Sequence, residues 1–448
     1  MKKLKVYLLS LGCARNLIDS EIILGILNDK GFRIVNQPKD VDLAIVNSCA
    51  FIKEAKEESI ETILEFIELK KEGVIQRLWV IGCLYQRYDE ELKKELPEVD
   101  GFLGVEAWKH NLEEMIENLV NPSSQRVKFK IPRMKSKRGF RSLRFRLTPS
   151  HYAYIKLSEG CDNFCSYCII PKIRGSLRSR PLEEIIKEVK SLARGHLLKE
   201  INLVAQDTTL YGKDLYGTPT LLALLKELVK IKSISWIRIL YMHPAHITDE
   251  LIEFIAENEK ICRYIDMPIQ HISNRILARM GRKISKAQIY QLIDRLRRKI
   301  KNVALRTSII VGFPGEKEAD FQELVKFVQE VKFEHLGVFV YSKEEDTHAY
   351  NFPEQVHEKI KRERYNYLLE IQKEISLEIL KGYIGKSIKV LIDEKLPEDS
   401  FTFLGRTEYD APEVDGGVII RDKSLKPGEF IKAKVIDTWE YDLLAQKI

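Results

Sequence analysis

The chain has 448 residues, enough for about three domains of roughly 100–200 residues each. With 44% hydrophobic and 31% charged residues it is typical of a soluble globular protein with buried cores. The net charge is only +7, and no apolar run approaches the roughly 18 residues of a membrane-spanning helix, so the sequence predicts no such helix.

Residues 1–120 alternate between strand and helix patterns, which predicts a parallel sheet flanked by helices. The predicted strands are 5–11, 43–46 and 78–81, and the predicted helices are 16–30, 53–71 and a helix that begins at Asp89. The apolar start that ends at Cys13 faintly resembles a lipoprotein signal, but it is too short and Lys5 interrupts it.

One cysteine follows each of these three strands: Cys13, Cys49 and Cys83. The carboxyl ends of strands in an open α/β sheet face one crevice, where ligands bind. Three cysteines at equivalent positions therefore predict a shared metal site with three protein ligands. The alternative is that each is an ordinary small apolar residue at the end of a strand.

Residues 121–146 are expected to form a linker because they contain prolines and many basic residues. The stretch 126–146 holds ten Lys or Arg and no acid. It either contacts nucleic acid or is simply solvated, and charge alone leaves both open.

Residues 147–380 return to strand–helix alternation and predict a partial barrel of six βα units, fewer than the eight of a closed barrel. The predicted strands are 152–157, 200–204, 236–240, 263–266, 304–311 and 336–341. The predicted helices are 181–195, 221–229, 249–258, 286–299 and 318–331.

The first of these strands leads into Cys161, Cys165 and Cys168, with the spacing C-x3-C-x2-C. Three thiolates can bind three irons of a four-iron cubane and leave the fourth iron open for chemistry. A structural zinc site or a coincidence is the alternative. With seven cysteines and only one close cluster, the chain suits a reducing compartment, so we expect a cytoplasmic protein without disulfides.

Polar residues follow the later strands on the same face of the predicted barrel, where function is expected. Each taken singly is equally explained as a solvated or structurally satisfied group. As a set they predict the lining of a cofactor pocket: Gln206, Asp207, Gln270, His271, Arg306 and Gly312. Cys262 stands at the start of a strand without partners, and we expect it to be structural.

Residues 381–448 contain five short strand patterns separated by turn signals, which predicts a small antiparallel barrel of the OB type. The predicted strands are 387–393, 402–407, 417–420, 430–437 and 442–447. Residues 383–448 carry ten basic and thirteen acidic residues, and such a surface attracts basic protein and repels phosphates.

The three parts together resemble the methylthiotransferase family from end to end. The family combines an N-terminal α/β domain with three cluster cysteines, a radical S-adenosylmethionine core and a C-terminal TRAM barrel. Four segments resemble the branch that modifies a ribosomal protein, not its sister branch that modifies a tRNA adenosine: 10–16, 47–52, 205–209 and 405–413. The wider superfamily often carries Gly-Gly-Glu after the second strand, where this chain has Ala205-Gln206-Asp207, so the contact to the methionine amine stays unassigned.

The resemblance implies two 4Fe-4S clusters: a catalytic one on Cys161, Cys165 and Cys168, and an auxiliary one on Cys13, Cys49 and Cys83. It implies that S-adenosylmethionine on the open iron yields a 5′-deoxyadenosyl radical, and that the auxiliary cluster supplies the methylthio group. The implied substrate is the β-carbon of an aspartate in the twelfth small-subunit ribosomal protein, and an electron donor protein is an implied partner.

Two alternatives stay open from the sequence. The same chemistry can act on tRNA, which the basic stretch favours and the acidic barrel opposes. A non-catalytic iron–sulfur or RNA-binding protein is the other, and it requires the open iron to be incidental.

Overall fold

The computed structural model describes residues 3–106, 144–397 and 401–448. Its N-terminal part is a five-stranded parallel sheet in the order β2-β1-β3-β4-β5. Its strands are β1 Lys5–Ser10, β2 Arg33–Ile34, β3 Leu43–Ser48, β4 Leu78–Gly82 and β5 Gly101–Leu103. Its helices are α1 Ala14–Asp29, α2 Lys53–Lys71, α3 Cys83–Arg87 and α4 Asp89–Glu95.

The predicted parallel sheet is confirmed, and β3 and β4 are buried along their whole length because helices cover both faces. The strands β2 and β5 were not predicted; they have only two and three residues and lie at the two edges of the sheet. Such short edge strands carry almost no alternation signal.

The central part holds six parallel strands in two sheets, β10-β9-β6 and β11-β12-β13. A parallel bridge between Ile237 and Ile261 joins the two sheets into one partial barrel, as predicted. The six strands are β6 Tyr152–Lys156, β9 Glu200–Val204, β10 Trp236–Ile239, β11 Tyr264–Asp266, β12 Ala304–Val311 and β13 His335–Val340, and β7 Ser158–Glu159 and β8 Arg178–Ser179 form a small separate ladder.

Helices cover the outside of this partial barrel. They are α5 Ile170–Arg174, α6 Leu182–Leu192, α7 Lys213–Tyr216, α8 Leu221–Leu228, α9 Asp249–Glu257, α10 Asn274–Arg279, α11 Lys286–Lys299, α12 Glu318–Val331 and α13 Glu358–Lys381. The longest of them, α13, was not predicted from the sequence. Four of its six buried residues are polar, so its buried face lacks the apolar period that identifies a helix: Lys361, Arg364, Gln372 and Ser376.

The C-terminal part is a closed five-stranded barrel in the order β14-β15-β16-β18-β17. Its strands are β14 Ser387–Lys395, β15 Thr402–Arg406, β16 Val418–Arg421, β17 Phe430–Thr438 and β18 Leu443–Lys447. The predicted barrel is confirmed, with one difference: β16 pairs with β18 in parallel, and only the other pairs are antiparallel.

Most of the basic stretch 126–146 lies outside the described residues. At its described end the Arg144 side chain is not solvated, because it is buried and forms ion pairs with Glu21 of α1 and Glu188 of α6. In the part of the chain that the structure describes, no helix has both the length and the apolar character needed to cross a bilayer.

Candidate active site

The C-x3-C-x2-C loop runs from β7 to α5 at the carboxyl end of the first barrel strand. Ser166 anchors it, donating from its backbone N–H to the Met280 carbonyl at 2.9 Å. The Cys168 N–H donates to the Cys165 carbonyl at 3.0 Å. Burial, with smaller contributions from the Asp207 charge and from Cys165, raises the pKa of Cys161 to about 11. Burial, with a smaller contribution from Cys165, raises the pKa of Cys168 to about 12. Metal binding to these thiols must therefore release protons.

Asp207 supports this loop from the end of β9. Its carboxylate accepts hydrogen bonds from the Asn163 amide at 2.8 Å, the Thr209 N–H at 3.0 Å and the His246 ring at 2.9 Å. Burial alone would raise the Asp207 pKa, but the hydrogen bonds from His246 and Thr209 lower it to about 2. The carboxylate stays charged and is engaged by the protein itself, so it orients the cysteine loop through Asn163.

The three N-terminal cysteines lie at one edge of their sheet. Cys13 immediately precedes α1, Cys49 follows β3, and Cys83 is the first residue of α3. Gly12, with φ of +83°, carries the first loop so close to Cys49 that a Cβ there would stand 2.8 Å from the Cys49 Sγ. The left-handed backbone and the close approach both favour glycine at this position.

Two buried asparagines tie these loops together. The Asn16 amide donates to the Ser48 carbonyl at 3.0 Å, and the Asn47 amide donates to the Asn16 carbonyl at 2.9 Å. The Asn16 Oδ1 accepts from the Cys83 thiol at 3.7 Å. Sequence reasoning missed both, although each stands within three residues of a candidate cysteine.

Cationic side chains surround the auxiliary cysteines. Burial would raise the pKa of the Cys13 thiol, but the charges of Arg15 and Arg174 together with backbone hydrogen bonds hold it below its usual value. At Cys49 burial wins, and with the neighbouring thiols it raises the pKa to about 12. At Cys168 the charge of Arg15 opposes the effect of burial, although the pKa is still raised. One guanidinium therefore acts on both groups of cysteines.

The distances between the cysteine thiols limit which metal centre they can bind. Among the described residues, the group of three His, Cys, Asp or Glu donors that meet within 4.8 Å of one another is Asp207, His243 and His246. Zinc–sulfur bonds of about 2.3 Å at tetrahedral angles would hold three thiolates within about 4 Å of one another. Neither cysteine trio meets that spacing, so the described residues do not favour one zinc ion at either trio.

The predicted pocket residues do not all meet at this site. The Gln206 amide donates to Glu159 at 3.1 Å, and its Oε1 is buried with no hydrogen-bond partner among the described residues. Gln270 has a left-handed backbone, with φ of 77°, and donates from its N–H to the Ser308 carbonyl at 2.8 Å. Gln206 thus keeps a free acceptor near the cysteine loop.

The other three are held by protein contacts. The Arg306 guanidinium pairs with Asp266 at 3.0 Å and with Asp415 of the C-terminal barrel at 3.3 Å. His271 and Gly312 both approach the Glu316 carboxylate: the imidazole Nε2 at 3.6 Å and the Gly312 N–H, as a donor, at 2.9 Å.

Sequence reasoning also missed the two arginines that contact candidate ligands. Arg174 of α5 donates to the Cys83 Sγ at 3.3 Å, and Arg282 donates to the Cys165 Sγ at 3.6 Å. No motif spacing marks either residue, because each reaches its cysteine through the tertiary fold. Cys262 lies apart from both trios, buried in the apolar core beside Trp236 and Tyr264.

Comparisons with known proteins agree with this architecture. Three family models match the chain: "Uncharacterized protein family UPF0004" over residues 5–104, "Radical SAM superfamily" over 155–328 and "TRAM domain" over 384–448. A protein of Clostridioides difficile (strain 630) named "Ribosomal protein uS12 methylthiotransferase RimO" is 47% identical over 98% of both chains. A protein of the same name from Clostridium novyi (strain NT) is 48% identical over 99% of this chain and 98% of its own.

The chain belongs to the RimO methylthiotransferase family. Its cofactors are therefore S-adenosylmethionine and iron–sulfur clusters, as predicted. Among solved structures, the radical S-adenosylmethionine methyltransferase TsrM from Kitasatospora setae matches with a TM-score of 0.56 at 14% identity, covering 76% of this chain and 72% of TsrM. At that identity the likeness shows the fold alone.

Proposed function

We propose that this protein adds a methylthio group to the β-carbon of an aspartate in ribosomal protein uS12. The observation that carries the proposal is the arrangement of two cysteine trios, each at the carboxyl end of a parallel sheet and each contacted by a buried arginine: Arg174 donates to the Cys83 Sγ at 3.3 Å and Arg282 to the Cys165 Sγ at 3.6 Å. Near-full-length similarity to relatives named uS12 methylthiotransferases supports the substrate.

In this proposal Cys161, Cys165 and Cys168 hold the catalytic cluster, and Cys13, Cys49 and Cys83 hold the auxiliary cluster. When bound, the catalytic cluster and S-adenosylmethionine supply a radical that abstracts hydrogen, and the auxiliary cluster supplies sulfur. The chain orients these groups and limits access of water: Cys49, Cys83 and Cys165 are all buried.

Gln206 is our candidate for binding S-adenosylmethionine. A buried acceptor without a partner is costly, so a ligand donor is expected to satisfy it. The methionine amine is such a donor, and the Gln206 Oε1 would accept from it. Gln270 is a second pocket residue in this proposal. Asp207 has a positioning role through Asn163 instead of a cofactor contact.

The six cysteines separate into two roles by substitution. We expect Cys165→Ala to abolish reductive formation of 5′-deoxyadenosine, because it removes a ligand of the catalytic cluster. We expect Cys49→Ala to keep that product and to lose methylthiolation. Cys262→Ala is the matched control, because it removes a buried cysteine outside both trios and should retain both activities.

Chromatography of 5′-deoxyadenosine and mass analysis of the substrate measure the two outcomes. Methylthiolation by Cys49→Ala at the parent rate would contradict the role given to the auxiliary trio. Loss of both products in Cys262→Ala would show that removal of a buried cysteine can itself disrupt folding. The losses in the other two variants could then not be assigned to their clusters.

The substrate is tested in a host that lacks its own uS12-modifying enzyme. After expression of this chain, mass analysis of both ribosomal proteins and tRNA nucleosides should find the methylthio mass gain on uS12. A gain on tRNA alone would overturn the proposal in favour of the tRNA alternative, which the basic stretch 126–146 motivates. Such a reaction also requires an electron donor protein and places the enzyme in the cytoplasm with its substrate.

The acidic barrel gives this choice less support than its net charge suggests. Several of its carboxylates are engaged inside the protein: Asp393 with Arg406, Glu413 with Tyr152, and Asp415 with Arg306. The similarity to uS12-modifying relatives, not charge, therefore carries the substrate proposal.

A further inference from the structure

We propose that Arg174 is a positioning residue of the auxiliary site, which reaches from the radical core to Cys83 and raises the reduction potential of the cluster held there. This inference rests on the proposed function, because it requires a cluster on Cys13, Cys49 and Cys83. It adds a residue of the radical core to a site whose cysteines lie in the N-terminal part of the chain.

The contacts of Arg174 are specific. Its side chain is 1% exposed, and one terminal nitrogen donates both to the Cys83 Sγ at 3.3 Å and to the Asn16 Oδ1 at 2.5 Å. The other donates to the Glu159 Oε1 at 2.5 Å. Arg174 ends α5, the helix that follows the catalytic cysteine loop, so the donor is supplied by the radical core and the acceptor by the N-terminal sheet.

The charges around Arg174 leave a place for an anion. Arg174 and Lys156 are balanced by Asp19 and Glu159, all with side chains no more than 8% exposed. Arg15 adds a third cation, whose guanidinium donates to the Ala205 carbonyl at 2.7 Å and lies 5.1 Å from the Tyr241 ring centroid. Among the described residues no carboxylate forms an ion pair with Arg15, so a negative cluster on three thiolates fits the excess positive charge.

A hydrogen bond to a ligand sulfur and a nearby positive charge both stabilise the more negative, reduced form of a cluster. Arg174 provides both at Cys83. Its partner Glu159 also accepts from Gln206, so a continuous series of side chains connects the proposed S-adenosylmethionine pocket to the auxiliary site. The docking of the two parts therefore completes the auxiliary site.

The test uses the full chain with Cys161, Cys165 and Cys168 changed to Ala, so that only the auxiliary site can hold a cluster. Anaerobic reconstitution should give about four irons per chain. In a dithionite titration followed by electron paramagnetic resonance, Arg174→Gln should make one-electron reduction at least tenfold less favourable, a shift of about 59 mV to lower potential.

Arg238→Gln is the matched control, because Arg238 is also fully buried, pairs with Glu200 at 3.0 Å and belongs to the same core. It should leave the potential unchanged. A parent potential in Arg174→Gln with full iron would overturn the inference, as would an equal shift in Arg238→Gln. If the test protein that retains Arg174 binds no iron after reconstitution, the proposed function itself is overturned, and the inference with it.

A second measurement avoids any loss of folding in Arg174→Gln. With the same catalytic cysteines changed to Ala and arginine labelled with ¹⁵N in the guanidinium, pulsed resonance of the reduced cluster should detect a ¹⁵N coupling. The coupling should disappear in Arg174→Lys, whose side-chain nitrogen is unlabelled, and persist in Arg15→Lys. No coupling, or a coupling lost only in Arg15→Lys, would overturn the assignment to Arg174.

Discussion

Two glycines near the N-terminus share a left-handed backbone but differ in their surroundings. Gly12 has φ of +83° and Gly31 has φ of +90°. A Cβ added at Gly12 would stand 2.8 Å from the Cys49 Sγ, whereas a Cβ at Gly31 would meet nothing within 4 Å. The pair therefore separates backbone strain from displacement of a candidate ligand.

We expect Gly31→Ala to lose on the order of 1 kcal/mol from the strained backbone alone, and Gly12→Ala to lose more, because its Cβ must also displace Cys49. Only Gly12→Ala should lower the iron content, from about eight to about four irons per chain after reconstitution. Iron analysis and thermal unfolding measure the two effects. Full iron in Gly12→Ala would contradict the position assigned to Cys49 in the auxiliary site.

At the scale of elements, the segment 405–415, which runs from the end of β15 toward β16, acts as a connection to the radical core. The Arg406 guanidinium pairs with Glu200 of β9 at 2.9 Å, and the Arg238 guanidinium donates to the Glu408 carbonyl at 2.7 Å. Asp415 accepts from the Tyr264 hydroxyl at 2.7 Å. Residues 405–413 of this segment resemble one branch of the family in sequence, and in the structure the segment connects the barrel to the radical core.

Glu200 is the test residue for this connection. Burial would raise its pKa, but Arg406 and Arg238 hold it below the usual range. Because the folded-state pKa is the lower one, the pair contributes stability above about pH 4.3, the unfolded value, and loses it as the pH falls through the folded value. We expect Glu200→Gln to cost about 3–5 kcal/mol at neutral pH, since it leaves Arg238 buried without a carboxylate.

Urea unfolding from pH 7.5 down to about pH 3 measures this effect: the difference between parent and variant should stay constant above about pH 4.3 and shrink below it. Glu227→Gln is the control, because Glu227 pairs with Lys230 on the surface, where such a pair contributes little. A Glu200→Gln protein with the stability of the parent at neutral pH would contradict the role of the pair.

On the scale of the whole molecule, one apolar cluster includes residues from all three parts. It contains Val6 and Ile18 of the N-terminal sheet region, Tyr154 of the radical core, and Leu391 and Ala411 of the C-terminal part. The barrel is therefore part of the core of the molecule as well as a candidate surface for substrate, and its loss should weaken the regions that hold both cysteine trios.

Ala411→Arg tests this shared core, because Ala411 is fully buried and a long charged side chain there must displace the residues packed around it. We expect a lower melting temperature and loss of the compact packing of the barrel, seen as faster proteolysis between the radical core and the barrel. Val414→Arg is the matched control in the same segment, since Val414 is 58% exposed, and it should melt like the parent. Equal melting of the two variants would show that the barrel is an independent appendage.

Local sequence patterns determined much of the fold. The helices 53–71, 286–299 and 318–331 and the strands 200–204 and 304–311 have the predicted bounds, because apolar periodicity and terminal signals act within a few residues. The six candidate cysteines also stood out by local spacing or by position after a strand. The helix α13 was not predicted, because most of the residues on its buried face are polar and are buried by tertiary contacts.

Only the tertiary structure decided which residues surround the cysteines. Arg174 and Cys83 are 91 positions apart, and Arg282 and Cys165 are 117 apart, so no spacing rule connects them. The tertiary structure likewise showed that Arg306 forms ion pairs with Asp266 and Asp415. By itself the sequence determined the kind of chemistry, since three thiolates at short spacing suit an iron–sulfur cluster. The packing of three parts determined the charges around those thiolates, because buried ion pairs form between residues that only the completed fold brings together.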